Sequence, residues 1–211
     1  MSPVIAIDGP AAAGKGTLAR RLAATLGFDY LDTGLIYRAV GMKLTRAGLD
    51  PTDPAQAEAA AKALHPGELQ AGDLRGDDAA QAASKVAVIA GVRSALLDFQ
   101  RAFAARPPGG KGAVLDGRDI GTVVCPGAGA KLFVTASVEK RAERRLKELQ
   151  SRGVGAIHSA VLADMRERDE RDSTRSAAPL KAATDAFVLD TSDIDADQAF
   201  AAALDYVKSK L

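Results

Sequence analysis

VIAIDGPAAAGKGTLARRLAATLG, residues 4–27, joins an apolar run to a helical stretch through a glycine-rich turn. Val4–Asp8 has the length and apolar content of a buried strand. From Gly14 to Gly27, Leu18, Leu22 and Leu26 recur at every fourth position on one helical face, and Gly27 supplies the stop. The turn itself, GPAAAGKGT from Gly9 to Thr17, has the composition needed to hold phosphate. Gly9, Gly14 and Gly16 let backbone N–H groups approach oxygen atoms with no Cβ in the way, and the main chain of Ala11, Ala12 and Ala13 completes the cradle. The helix N-terminus adds partial positive charge. Lys15 adds a compact full charge for the β- and γ-phosphates of ATP. A glycine-rich turn with no ligand is the alternative; the lysine, the Thr17 hydroxyl and the flanking strand and helix argue against it. The general pattern puts a Mg²⁺-binding hydroxyl directly after the lysine. Here Gly16 intervenes, so Thr17 is expected nearer the α-phosphate than the metal.

Outward from this unit, Phe28–Asp32 predicts a second strand, and Thr33 is the expected N-cap of a helix running to about Ala47, where Gly48 ends it. A short Ala-rich helix is expected near Ala55–Leu64. Residues 65–78 hold many Gly, Asp and Pro without a period and are expected to form an exposed insertion. One long helix is expected over Ala79–Ala105, closed by the loop at 106–112. Further strands are expected at Ala113–Asp116, Lys131–Ala136 and Ala186–Asp190, and helices at Val138–Ser151, Ile157–Asp169 and Asp195–Lys210. Strands alternating with helices imply an α/β P-loop fold: a five-stranded parallel sheet with right-handed crossovers, buried between helices. The expectation is one domain over 1–211, with core segments about 1–63, 79–150 and 179–211, a shortened insertion about 64–78 and a helical lid about 151–178.

Composition narrows the function. The chain has 211 residues, is 47% hydrophobic and carries a formal net charge of +1, so no basic surplus points to nucleic acid or a membrane surface. Few aromatics, with Phe 6, Tyr 3 and Trp 0, make a base-stacking platform for RNA a poor reading. The single cysteine, Cys125, excludes an internal disulfide and fits a reducing compartment. MSPVIAIDGP lacks the basic and apolar regions of a signal peptide. No run of about 18 apolar residues is present to span a bilayer. The expectation is a cytoplasmic monomer. There is no asparagine, so the Asn-Lys-x-Asp motif of guanine-nucleotide switches is absent. What remains is a small-molecule kinase or a nucleotide-binding regulator without an acceptor.

Three further blocks separate these readings. DTGLIYR, Asp32–Arg38, places a hydroxyl, a helix N-terminus and Arg38 together as a second anion site, which suggests an acceptor that carries phosphate; a capped helix with a surface arginine is the plainer reading. VLDGRDIGTVV, Val114–Val124, ends a strand at Asp116, where a carboxylate organises a hydrated metal, and then offers Arg118 and Asp119 at the carboxyl end of the sheet. A strand-end turn with a local ion pair is the plainer reading. RERDERDSTR, Arg166–Arg175, has two readings. One is a solvated helix laced by the pairs Asp164–Arg168, Glu167–Arg171 and Arg168–Asp172; the other is a mobile arm closing arginines over a transferring phosphoryl group. Arg141, Arg144 and Arg145 are either adenine contacts or a solvated face. His65 and His158 have no metal-ligand spacing and read as exposed or capping. Cys125 reads as an inert thiol.

Taken in order, GPAAAGKGT, DTGLIYR, AASKVA at 82–87, Val92–Arg93, DGRDIGTVV, RERDERDSTR and APL at 178–180 resemble the blocks of bacterial cytidylate kinases over essentially the whole chain. GKGT in place of GKT or GKS is similar to nucleoside monophosphate kinases in general; the two later blocks are more specific. The resemblance implies phosphoryl transfer from ATP, with Mg²⁺, to CMP or dCMP. It implies that Thr33, Arg38 and Arg118 hold the acceptor phosphate, with Arg175 reaching in from the lid. It places Ser84, Arg93 and Asp119 around cytosine, and Arg168 and Asp172 near the acceptor sugar and phosphate. That base assignment is chemically consistent: a carboxylate accepts from the exocyclic amine, and an arginine donates to the ring nitrogen and carbonyl. Lys15, Arg118, Arg168, Arg171 and Arg175 are the expected catalytic cations, and Asp32 and Asp116 are expected to reach the metal through water. A P-loop kinase for another small phosphorylated acceptor such as UMP, and a non-catalytic ATP sensor, are the competing readings. Family members usually carry a longer insertion where this chain has HPGELQAGDLRGDD.

Overall fold

The computed structural model describes residues 2–211; Met1, the first residue of the expected domain, lies outside the described residues. Five strands, β1 (Val4–Asp8), β2 (Asp29–Asp32), β3 (Ala113–Gly117), β4 (Ala130–Thr135) and β5 (Phe187–Asp190), form one sheet in the order β2-β3-β1-β4-β5. Every pairing is parallel, as the alternation of strands and helices predicts. Register sets the site: Asp8 lies opposite Gly117, and Asp32 opposite Asp116.

The sheet is buried on both faces, and successive residues of β1 point to opposite layers. Ala6 joins Leu31 and Leu115 in the layer under α2 (Thr33–Arg46), α3 (Pro54–Lys62) and α5 (Ala90–Ala105). Ile5 and Ile7 join Val114 and Leu132 under α1 (Lys15–Leu26) and α8 (Ala196–Lys208). A third cluster seats α6 (Val138–Ser151) against α7 (His158–Thr174) through Ala142, Leu149, Val161 and Met165, with Ala11 and Ala12 of the glycine-rich turn packed on it. No described helix is long and apolar enough to cross a membrane.

Four local expectations are corrected. Asp32, not Thr33, caps α2: its Oδ1 accepts from Leu35 N at 3.1 Å, while Thr33 is the first helical residue and donates its hydroxyl to Asp116 O at 2.7 Å. The stretch 79–105 is two helices, α4 (Asp77–Val86) and α5. Ile89 between them takes extended backbone, as β-branched residues favour, and packs into the first layer. The segment 65–78 is not simply an exposed insertion. It forms two 3₁₀ turns, Pro66–Gln70 and Gly72–Arg75, and Leu74 is fully buried against Ala39, Met42 and Ala79. Finally, α7 runs beyond Asp169 to Thr174, its last turn held by Asp172, which is buried, and by the Thr174 hydroxyl on Glu170 O. The helices α2 and α4 approach closely at one point: a Cβ on Gly41 would sit 2.7 Å from the Ala82 Cβ.

Candidate active site

The phosphate loop leaves β1 at Gly9, whose φ of 148° and whose contact with the Val134 carbonyl both exclude a side chain. Ala12 and Gly14 also take positive φ, 57° and 91°, and Gly14 is the N-cap of α1. The amides at the start of α1 therefore point outward as a ready anion cradle. Lys15 is buried, and its Nζ donates to Pro10 O at 3.1 Å. Burial, then the neighbouring Arg118 and Arg168 charges, hold its ammonium well below the ordinary lysine range, with Asp116 and Asp32 opposing. A polyanion placed there would restore the full charge. Gly16 leaves room for Asp116, whose Oδ2 would lie 3.3 Å from an added Cβ.

Thr17 faces a cavity of about 370 Å³ lined also by Gly14, Arg21, Arg144, Thr191 and Ile194. That volume and mixed lining suit a purine ring. The three arginines of α6 do not form a solvated face. Arg141 is buried and donates to Asp169 and to Ala11 O; Arg144 donates to Thr191; Arg145 donates to Asp77 and Glu148. Of the three, only Arg144 lines the cavity.

Asp32 and Asp116 stand side by side at the ends of β2 and β3. Burial, then the Asp32 charge, push Asp116 above the usual carboxylate range. Asp32 keeps a looser contact with Arg38, 3.9 Å from its Nη1. Among the described residues no group of three or more His, Cys, Asp or Glu could hold a metal ion. Two adjacent, under-compensated carboxylates beside a phosphate cradle nevertheless fit Mg²⁺, which takes one or two carboxylates, phosphate oxygens and waters.

Arg93 on α5 pairs with Asp119, both side chains nearly buried, and the guanidinium lies 5.6 Å from the Tyr37 ring centroid. Arg118 Nε donates to Asp172 Oδ2 at 2.9 Å. Arg175 Nε donates to Ala178 O at 2.7 Å, and its Nη2 stands 3.9 Å from Asp119 Oδ1. Ser84 on α4 accepts from Arg171 Nη1 at 2.7 Å. Thus Arg93, Asp119 and Arg175 form one group, Arg118 and Asp172 a second, and Ser84 is reached from α7 by Arg171. Thr33 has its hydroxyl proton committed to Asp116 O.

The arginine-rich segment divides between its two readings. Of the three expected helical pairs, only Glu167–Arg171 closes within 4.0 Å among the described residues. Arg168 turns inward: burial, then the Arg118 charge, lower its guanidinium to about 10. Arg168 Nε and Arg175 Nη2 are buried without a hydrogen-bond partner among the described residues. Buried N–H groups of this kind are costly unless something binds them. Asp8 escaped the sequence reading. It is buried, accepts from Ile120 N and Gly121 N at 2.7 Å each, and is raised to about 6 because burial outweighs those two bonds. Its partners lie more than a hundred residues away, so no local pattern marks it. Cys125 is half-buried and burial pushes its thiol up to about 11, which keeps it inert. His65 caps the first 3₁₀ turn, accepting from Gly67 N.

A sequence model of the family described as cytidylate kinase matches residues 5–209. The chain is 79% identical over 210 residues to the cytidylate kinase of Paramagnetospirillum magneticum, covering 100% of both chains. It is 61% identical over 208 residues to that of Rhodospirillum rubrum, covering 98% of each. Among solved structures, an uncharacterized protein from Eubacterium ventriosum superposes with a TM-score of 0.57 at 15% identity over 99% of each chain, a likeness of fold alone. A glycine-rich turn at the start of α1 beside a cluster of inward-turned arginines, on a chain matched nearly end to end by that model and those relatives, leaves one conclusion: the chain belongs to the cytidylate kinase family.

Proposed function

We propose that the protein transfers the γ-phosphoryl group of ATP to CMP or dCMP, releasing ADP and CDP or dCDP. The observation that carries this reading is the buried Arg168 Nε, without a hydrogen-bond partner among the described residues, on a guanidinium beside Arg118 and Lys15; Arg175 Nη2, likewise without one, stands by Arg93 and Asp119. Cations this concentrated and this desolvated are stable in company with a polyanion. A non-catalytic sensor of ATP would need Lys15 and the loop amides, but not a second group of arginines on the far side.

The acceptor phosphate has a second pKa of about 6 and is largely a dianion near neutral pH, so no general base is needed. One of its oxygens forms a bond to the γ-phosphorus as the bond to the β–γ bridging oxygen breaks, and ADP leaves. The protein's task is to hold two polyanions in line and screen their repulsion. In this reading Lys15 and the amides of residues 11–17 bind the donor, and Thr33, Arg38 and Arg118 fix the attacking phosphate. Arg168 and Arg175 meet the charge on the moving group. Arg93 and Asp119 read the cytosine edge, and the cavity beside Thr17 and Arg144 takes the adenine. Mg²⁺ bound with ATP would neutralise the β- and γ-oxygens, with Asp116 and Asp32 holding its water ligands.

The test is ADP release from Mg-ATP with each nucleoside monophosphate in turn. CMP and dCMP are expected to drive turnover and the others weakly. Turnover driven equally by another monophosphate discards the base-reading assignment, and ADP release independent of any acceptor discards the kinase reading.

A further inference from the structure

The loop that carries Arg118 and Asp119 is held by a residue on another strand. After Asp119 the chain makes one wide turn, Ile120–Val124, in which Val123 N and Val124 N donate to Asp119 O, and Cys125 N to Ile120 O. The first amides of any such turn point away from it and need outside acceptors. Here Ile120 N and Gly121 N each donate to a separate oxygen of Asp8, both at 2.7 Å. Asp8 is 4% exposed and ends β1 immediately before Gly9. Both carboxylate oxygens are spent on these two amides, and a Cβ on Gly121 would lie 3.4 Å from Asp8 Oδ2, so the loop sits directly on the carboxylate.

We infer that Asp8 is a positioning residue for the acceptor: its carboxylate fixes the backbone just after Arg118 and Asp119, and so sets where those two side chains stand relative to the phosphate loop. The inference rests on the reading of Arg118 and Asp119 given above. Asp8 is the covalent neighbour of the donor cradle and the hydrogen-bonded neighbour of the acceptor loop, which makes it a joint between the two substrate sites. The charged and titratable groups that face it are Lys15, at the start of α1, and Asp119 and Cys125, on the loop after β3. The Lys131 stem from β4 packs on Gly121 beside it, its ammonium committed to Asp185. A rival role, as a countercharge for Lys15, would act on the donor instead.

Asp8→Asn separates the two roles. The amide keeps one acceptor but turns an NH₂ group toward the second backbone N–H, so one donor is left unsatisfied. The expected result is a rise of about tenfold or more in KM for CMP, a change of no more than about twofold in KM for ATP, and a reduced preference for CMP over UMP. Unchanged KM for CMP with unchanged CMP preference, even with a lowered thermal midpoint, overturns the inference and leaves a purely structural residue. An equal rise in both KM values also overturns it, in favour of the countercharge. Asp119→Ala run in parallel isolates the underlying reading. If it keeps the CMP preference, base reading by Asp119 is what fails, and the split in KM alone decides Asp8. If Asp8→Asn does not fold, amide exchange in the unaltered protein decides. Slow exchange of the Ile120 and Gly121 amides without nucleotide supports a preset loop; protection that arrives only on adding CMP overturns it.

Discussion

Arg118 and Asp172 are joined by a hydrogen bond of 2.9 Å between Nε and Oδ2, so the loop after β3 is tied directly to the last turns of α7. Both side chains are largely buried, at 18% and 8% exposure. Burial alone would raise the Asp172 pKa; the Arg118 and Arg168 charges, the bond from Arg118 and the Arg175 charge outweigh it and hold it below the ordinary range. A depressed carboxylate stabilises the fold above its unfolded value and loses that contribution as pH falls through its folded value. Asp172→Asn is therefore expected to be less stable by about 3 kcal/mol near neutral pH, with the gap to the unaltered protein closing below about pH 4. It is also expected to raise KM for CMP. Denaturant titrations at several pH values and initial-rate kinetics check both; a gap that is flat with pH removes the ion pair as its cause.

Lys15→Met should lower turnover by about 10³-fold or more. The fold should persist, because the ammonium it removes is desolvated and held below its usual range. A thermal midpoint at or above that of the unaltered protein, together with the collapse in kcat, is the expected pair of readings. Near-normal turnover would remove Lys15 from the donor site.

Asp119→Ala leaves Arg93 without its partner at a nearly buried position. CMP phosphorylation should fall by about 10²-fold or more, since a site built to bond a polar edge discriminates strongly. ATP binding, followed by titration calorimetry, should change little. Equal loss of both would argue against base reading.

Arg168 and Arg171 are three residues apart but turn to different work. Arg168 is half-buried beside Arg118, its buried Nε unpartnered among the described residues, whereas Arg171 contacts Ser84 and Glu167. Arg168→Ala is accordingly expected to act on kcat, by about 10²-fold or more, and Arg171→Ala mainly on KM for CMP through the position of Ser84. Matching kinetic profiles for the two variants would show that the lid arginines act as one unit.

Asp8 has the opposite pH sign to Asp172. Its folded value is raised from 3.8 to about 6 by burial, so the folded chain holds the proton more tightly than the unfolded one. Stability from this group is complete below about pH 4 and declines as pH rises to about 6, by at most about 3 kcal/mol. The difference in unfolding free energy between the unaltered protein and Asp8→Asn should narrow across that window. A difference that widens instead would mean that the two backbone donors, not burial, dominate the carboxylate.

The strand, glycine-rich turn and helix of residues 4–27 were legible because their pattern is local: Gly9, Gly14, Lys15 and the elements around them lie within two dozen residues. The arginines of the candidate site were legible as types but not as partners. Nothing in RERDERDSTR says that Arg168 faces inward while Arg171 reaches Ser84, since that depends on how α7 lies over α4. Asp32 and Thr33 are both good caps, and only the Thr33 bond to Asp116 O decides between them. The break at Ile89 was hidden because helical periodicity continues on either side of it. Arg141, Arg144 and Arg145 have the spacing of a charged surface stripe, and become structural only where Asp169, Thr191 and Asp77 arrive from distant parts of the chain.

The close approach of Gly41 to Ala82 has a consequence for how such a chain can drift. A methyl group gained at 41 would meet the Ala82 Cβ at 2.7 Å and its carbonyl carbon at 2.8 Å, pushing apart the helices that carry Arg38 and Ser84. Shrinking residue 82 to glycine relieves the first clash but not the second, because the backbone itself is in the way. A side chain at position 41 is therefore incompatible with the present spacing of Arg38 and Ser84. The seam between α2 and α4 is thus set by the absence of one carbon atom, and a residue other than glycine enters at 41 only once the backbone at 82 has moved.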